Sequence, residues 1–167
     1  RFIMKTEMVG IEIDNLHLAF GPTKVLTGVN LNIQPGEFFA FLGPSGSGKS
    51  TLLRSIAGFG PRPQGAIRIG GKDVVDLPPW KRNVGMVFQS YALWPHLSVR
   101  ENVAFGLRER KVPGAEVTRR VNEALDLVGL VHLADRMPNQ LSGGQQQRIA
   151  LARTVVIEPQ VLLLDEP

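Results

Sequence analysis

The sequence contains no cysteine, one tyrosine and two tryptophans. Without thiols there can be no disulfide framework and no thiolate metal site, so packing and hydrogen bonds must hold the fold. Long apolar runs are missing too. The longest are short stretches such as Glu37–Leu42 and Val161–Leu164, far below the roughly 18–20 residues of a membrane-spanning helix. No apolar block marks a secretory leader. The net charge is +4, yet Lys and Arg are scattered, with no run of about five like charges. That pattern reads as a solvated surface, and nucleic acid is not expected as a partner. What is present, 43% apolar and 20% charged residues over 167 positions, is ordinary for one globular domain with a core of useful size.

Short β-like runs alternate with helical ones, which predicts an α/β fold with parallel strands. Gly10–Phe20 alternates apolar and polar residues through Ile11, Ile13, Leu16 and Leu18, the pattern of a half-buried strand. Val29–Ile33 repeats it before the turn Gln34-Pro35-Gly36. Glu37–Leu42, almost wholly apolar, predicts a strand covered on both faces. Lys49–Ala57 carries Leu52, Leu53, Ile56 and Ala57 at helical spacing. Pro61–Gly71 reads as a loop with a short hairpin. Helices are predicted over Val99–Leu107, with Ser98 as N-cap, over Glu116–Val128, and from about Gly144 to Val156. After Glu158-Pro159 the strand Val161–Leu164 runs into Asp165-Glu166-Pro167.

Gly43-Pro44-Ser45-Gly46-Ser47-Gly48-Lys49-Ser50 matches G-x-x-x-x-G-K-[ST] at every fixed position. It lies between an apolar run and an amphipathic helix, the setting in which that pattern binds phosphate. Glycines let the backbone fold tightly, so that successive N–H groups point at phosphate oxygens. The helix that follows aims its positive dipole end at the same anion. Lys49 is predicted to reach the β- and γ-phosphates and the Ser50 hydroxyl to ligate Mg²⁺; Thr51 joins the nucleotide-binding set. Asp165, at the C-terminal end of its strand, is placed to hold Mg²⁺. Glu166 could polarise the water that attacks the γ-phosphate. Alone, such a run could equally be a strand entering a polar turn; the phosphate loop favours the functional reading.

A phosphate loop with an acidic strand end occurs in many nucleotide-binding proteins. Leu141-Ser142-Gly143-Gly144-Gln145, continued by Gln146-Gln147-Arg148, narrows the choice. Together with the two preceding motifs it resembles the signature of the ABC ATPase family, over about Val9 to Pro167. On local chemistry alone, Ser142–Gly144 could simply cap a helix. The resemblance implies a P-loop NTPase core with a parallel sheet, an N-terminal antiparallel β subdomain and a helical insertion subdomain, with the C-terminal part missing. Residues 1–90 and 140–167 would form the α/β core and 91–139 the helical subdomain.

The same resemblance implies roles residue by residue. Phe20 matches the aromatic that stacks on adenine, with a core Phe as the alternative. Gln89 matches the glutamine that senses Mg²⁺ and the attacking water. Ser142, Gly143, Gly144 and Gln145 would contact the γ-phosphate held by a second copy of the domain, so that ATP is sandwiched in a homodimer. Ser90–Val99 resembles the stretch of importer ATPases that faces integral membrane permease subunits, and Tyr91 and Trp94 would suit that interface or, alternatively, internal packing. The implied activity is ATP hydrolysis powering solute import at the cytoplasmic face of the membrane, with a solute-binding protein as an indirect partner. A soluble ABC ATPase acting on nucleic acid or ribosomes is the alternative. In the family a switch histidine follows Asp-Glu-Pro. His17, His96 and His132 do not occupy that position, so the chain alone is expected to hydrolyse ATP poorly.

Overall fold

Ile11, Ile13, Leu16 and Leu18 are all buried, and they lie on one strand, β1 (Ile11–Phe20). The apolar positions shift from odd to even between Ile13 and Leu16. Asn15 takes a left-handed φ of 46° there, and the pairing of β1 is irregular at the same place, as a β-bulge requires. These observations come from a computed structural model, which describes residues 7–166; the proposed Pro167 position lies outside the described residues. The chain divides into two compact units, Glu7–Val84 and the residues from Gly85 onward.

In the first unit, β1 pairs antiparallel with β2 (Thr23–Ile33) on one side and with β3 (Gln64–Ile69) on the other. A short β4 (Lys72–Asp73) completes a sheet of order β2-β1-β3-β4. Gly65 sits at φ 101°, and a Cβ there would overlap the Asn15 carbonyl oxygen. Only glycine fits where β3 passes the bulge. Helix α1 (Lys49–Ala57) follows the phosphate motif and contacts β2. Leu52, Leu53, Ile56 and Ala57 are its buried apolar residues, as its spacing predicts.

Two expectations need correction here. Within Pro61–Gly71, Gln64–Ile69 is a full strand of the sheet rather than loop; the short hairpin is the turn at Gly70-Gly71 by which β3 pairs antiparallel with β4. The flanking Pro and Gly residues mark its ends, while Ile67 and Ile69 alternate into the core. Glu37–Leu42 is not a strand. Phe38 is 90% exposed and Leu42 94%; Phe39 and Phe41 meet edge to face at 5.2 Å. An apolar run signals a tendency to be buried, but a strand also needs a ladder partner, and among the described residues this segment has none.

The second unit pairs β5 (Val84–Val87) with β6 (Val161–Leu164). The Asp165 N–H donates to the Val87 carbonyl at 3.0 Å, so both strands end at the same edge and run parallel. Helices α2 (Val99–Glu109), α3 (Gly114–Leu127) and α4 (Gly143–Val155) agree with their predicted spans to within two residues. Their apolar faces meet in a core of Val99, Val103, Leu107, Val121, Leu125, Ile149 and Val156. Ser98 caps α2 as predicted, within a reciprocal capping box with Glu101.

Candidate functional site

The residues singled out by sequence fall into two groups, one in each unit. Phe20 and the phosphate loop belong to the first; Gln89, the signature residues, Asp165 and Glu166 belong to the second.

The phosphate loop turns at Gly46 (φ 81°) and Gly48 (φ 92°), conformations that a side chain would strain. Gly48 caps α1 with no side-chain hydrogen bond, and the first turn carries no acidic residue. The orphan N–H groups and positive dipole end of α1 therefore meet no negative charge from their own helix. Lys49 folds back over the loop. Its Nζ donates to the carbonyls of Gly43 at 2.7 Å and Pro44 at 2.8 Å, and to Ser47 Oγ at 3.3 Å. The loop thus holds an ammonium against its own carbonyls, beside the N-terminus of α1. Ser45 and Gly46 are exposed, while Ser50 and Thr51 are half-buried in the first turn of α1. Phe20, at the end of β1, is 50% exposed, so it is not a core phenylalanine.

In the second unit, parallel pairing brings two strand ends together, and with them Gln89 and Glu166. Gln89 Nε2 donates to Glu166 Oε2 at 2.7 Å, across 77 residues of sequence. Asp165 is buried, at 3% exposure, whereas Gln89 and Glu166 are exposed. Glu166 adopts φ 50°, an uncommon conformation for a non-glycine residue and one that collects at functional sites. Ser142, Gly143 and Gly144 are exposed at the start of α4. Ser142 Oγ accepts from the Gln145 N–H at 3.3 Å, and Gln145 Oε1 accepts from the Ser142 N–H at 2.9 Å. The capping role weighed from sequence is therefore realised, and the glycines leave the amides of the first turn uncovered by side chains.

Tyr91 and Trp94 are half-buried. Trp94 stacks on Phe105 at 4.3 Å between ring centroids, with the Arg153 guanidinium 4.7 Å from the centroid of its ring. Internal packing, the alternative weighed for Trp94, accounts for much of that side chain. His17 is structural: its Nδ1 accepts the Gly28 N–H, and Nε2 meets Asn15 Oδ1 at 2.9 Å. His96 and His132 are exposed.

Two residues near the site were not legible in the sequence. Asn102 is fully buried; it accepts the Trp94 N–H and donates to the carbonyls of Trp94, Leu97 and Ser98. Arg153 donates to the carbonyls of Ala92 at 2.8 Å and Tyr91 at 2.9 Å, and burial lowers its pKa. Neither a helical Asn that bonds the loop leading into its own helix nor a helical Arg that bonds backbone 61 residues away carries a local signature.

Comparison with known proteins bears on this arrangement. The family profile described as ABC transporter matches residues 26–167. The chain belongs to the ABC transporter family. It is 58% identical over 157 residues to the spermidine/putrescine import ATP-binding protein PotA of Legionella pneumophila subsp. pneumophila, covering 94% of this chain and 43% of that protein. Over 160 residues it is 52% identical to the maltose/maltodextrin import ATP-binding protein MalK of Yersinia pestis bv. Antiqua, covering 96% of this chain and again 43% of the relative. The chain therefore spans less than half the length of these curated relatives. Among solved structures, it matches CbiO1 of Clostridium perfringens, part of the ABC transporter complex CbiONQ, with a TM-score of 0.84 and 36% identity over 97% of this chain and 66% of that one. The ABC fold expected from the motifs, α/β with an antiparallel N-terminal sheet, is the fold found.

Proposed function

We propose that this ABC chain is the nucleotide-binding part of an ATPase that powers solute import through separate membrane permease subunits. The observation that carries the reading is the loop in which Lys49 Nζ rests on the Gly43 and Pro44 carbonyls. An ammonium so placed, beside a glycine-capped helix end, is complementary to a polyphosphate, and ATP is the nucleotide that relatives' names point to. The residues proposed for Mg²⁺, one from the first unit and two from the second, are each of a suitable chemical kind. No three His, Cys, Asp or Glu side chains cluster as a cation cage among the described residues. The donors on offer are oxygens, from the Ser50 hydroxyl, Asp165 and Gln89, and Mg²⁺ is commonly held by one or two protein oxygens with phosphates and water completing its shell. When bound, Mg²⁺ would neutralise charge on the β- and γ-phosphates.

The chain's own residues would then divide the work. Lys49 exchanges loop carbonyls for phosphate oxygens. Exposed Phe20 offers a face to adenine. Glu166 holds and orients water, with Gln89 fixing the direction of its carboxylate through the 2.7 Å bond. Gly143 and Gly144 offer uncovered amides to the γ-phosphate bound by a second copy, making the working unit a homodimer. Residues 91–139 are assigned the role of the helical subdomain, and residues 1–90 with 140–167 that of the α/β core. No helix among the described residues is long and apolar enough to cross a membrane; a peripheral place on the cytoplasmic face follows from the proposed importer role. The solute-binding protein acts only indirectly.

Calorimetric titration with MgATP tests the reading. Binding is expected for the native chain, and Lys49→Ala should weaken it at least tenfold, about 1.4 kcal/mol, with the circular dichroism spectrum unchanged. Equal affinity of the two would remove the phosphate-loop assignment.

A further inference from the structure

Two consecutive residues after Gln89 hold a conformation that side chains avoid. Tyr91 lies at φ 58° and Ala92 at φ 47°, and left-handed backbone at non-glycine positions persists only where its surroundings enforce it. The turn is closed locally by the Tyr91 N–H on the Phe88 carbonyl at 2.9 Å and the Ala92 N–H on the Ser90 carbonyl at 2.6 Å, and from outside the segment it is held by Arg153. Its Nη1 and Nη2 take the Ala92 and Tyr91 carbonyls, one each, and its planar guanidinium lies over the Trp94 ring. These partners are backbone carbonyls and an aromatic face, not a carboxylate, so the side chain grips the shape of this one segment. Asn102 also takes both backbone groups of Trp94, and Phe105 of α2 packs on its ring. Arg153 stands near the C-terminal end of α4, the helix whose N-terminus carries Ser142, Gly143 and Gly144. The segment it holds begins two residues after Gln89, which bonds Glu166.

We propose that Arg153 is a positioning residue for hydrolysis: it makes α4 and the 91–94 segment one mechanical piece, so that engagement of the α4 N-terminus sets the placement of Gln89 and, through it, of Glu166. The inference rests on the function proposed above. A guanidinium suits the task because its fork reaches two carbonyls while its face packs on indole. Lysine can offer only a point charge.

The test uses the complete protein of which this chain is part, with its ATPase kinetics and its tryptophan emission; Trp94→Phe defines the share of emission that belongs to Trp94. Arg153→Gln is expected to lower kcat at least tenfold, to leave KM for ATP within about twofold, and to abolish the change in Trp94 emission on adding MgATP. Arg153→Lys should recover part of both. Adding Ala92→Gly to Arg153→Gln should recover more than half of the emission change, because glycine takes the left-handed geometry without a clamp. The proposal is overturned if Arg153→Gln keeps its kcat and emission response. It is equally overturned if kcat falls only in step with the folded fraction and Ala92→Gly rescues nothing. ATP binding insensitive to Lys49→Ala in the native protein would instead bring down the functional reading, and this inference with it.

Discussion

Arg82 should be the most costly single side chain to remove from the first unit. It is 5% exposed, and its guanidinium donates to four backbone carbonyls: Leu77 at 2.7 Å, Ser55 at 2.8 Å, Ile56 at 3.0 Å and Val75 at 3.1 Å. Ser55 and Ile56 belong to the last turn of α1, whose carbonyls lack the usual partner four residues on; the Ser55 carbonyl also accepts the capping Gly58 N–H at 3.2 Å. There the guanidinium adds a charged donor to both carbonyls and opposes the negative dipole end. Burial lowers the Arg82 pKa, against an upward pull from Asp73 and Asp76. The charge is thus held in place by the carbonyls at some desolvation cost. In Arg82→Met the side-chain volume stays and all four bonds go. At about 1.5 kcal/mol for each hydrogen bond from a charged donor, the gross loss is about 6 kcal/mol. Relief of the buried charge returns part of this, as does water entering the cleft of about 200 Å³ that Ser55, Val75, Leu77 and Arg82 line. The net destabilisation should be about 3–4 kcal/mol. With a urea dependence of about 2 kcal/mol per molar, the midpoint should fall by roughly 1.5–2 M, and Arg82→Lys should recover less than half. A shift below roughly 0.5 M for Arg82→Met would refute the claim that these carbonyls depend on it.

Other outcomes follow from the same kind of reading. Glu166→Gln replaces the carboxylate by an isosteric amide whose carbonyl can still accept from Gln89, so the strand-end geometry should survive. Hydrolysis by the complete protein should drop at least 100-fold while MgATP binding stays within about twofold, measured by phosphate release and calorimetry. Ser98→Ala removes one half of the α2 capping box and should cost about 1 kcal/mol in thermal or urea unfolding. The other half is pH-dependent. Hydrogen bonds from the Ser98 backbone and side chain lower the Glu101 pKa, so its stabilising share is complete above the ordinary carboxylate pKa of about 4.3 and is lost as pH falls through the depressed value. Melting curves of the native chain and Glu101→Gln should therefore differ at pH 6 and converge toward acid.

The legible parts of this protein are those in which chemistry depends on backbone within one turn. The phosphate loop needs glycine at positions 46 and 48 because φ is positive there, and the residues around it are contiguous. The Ser98 and Ser142 caps reach only three residues ahead. The alternation of β1 and the 3.6-residue spacing of α2, α3 and α4 report burial directly. The illegible parts depend on which distant segment supplies a carbonyl. Nothing in the neighbourhood of Arg82 or Arg153 says that each grips backbone far along the chain, or that Asn102 turns back to the loop just before its own helix. The same limit explains Glu37–Leu42. Its apolarity predicts a strand buried on both faces, yet pairing is a property of two segments, and the sequence of one says nothing of the other.

Backbone strain adds what neither motif nor periodicity provides. Among the described residues, non-glycine positions with positive φ include Asn15, at a bulge, and Asn83, Lys111 and Glu158, which lie outside helices and strands. Asparagine tolerates that region, and isolated examples at element ends are ordinary. Tyr91, Ala92 and Glu166 are of another kind. Two are adjacent, and the third is bonded to Gln89, two residues before them. Conformations of this sort cost of order 1–3 kcal/mol each, so three in one neighbourhood represent a local instability that the rest of the unit must offset. A capped helical core with Arg153 and Asn102 directed into the loop is the means by which it does so. Sequence motifs mark the residues that would touch nucleotide; the strained backbone marks the segment that must be held for them to act together.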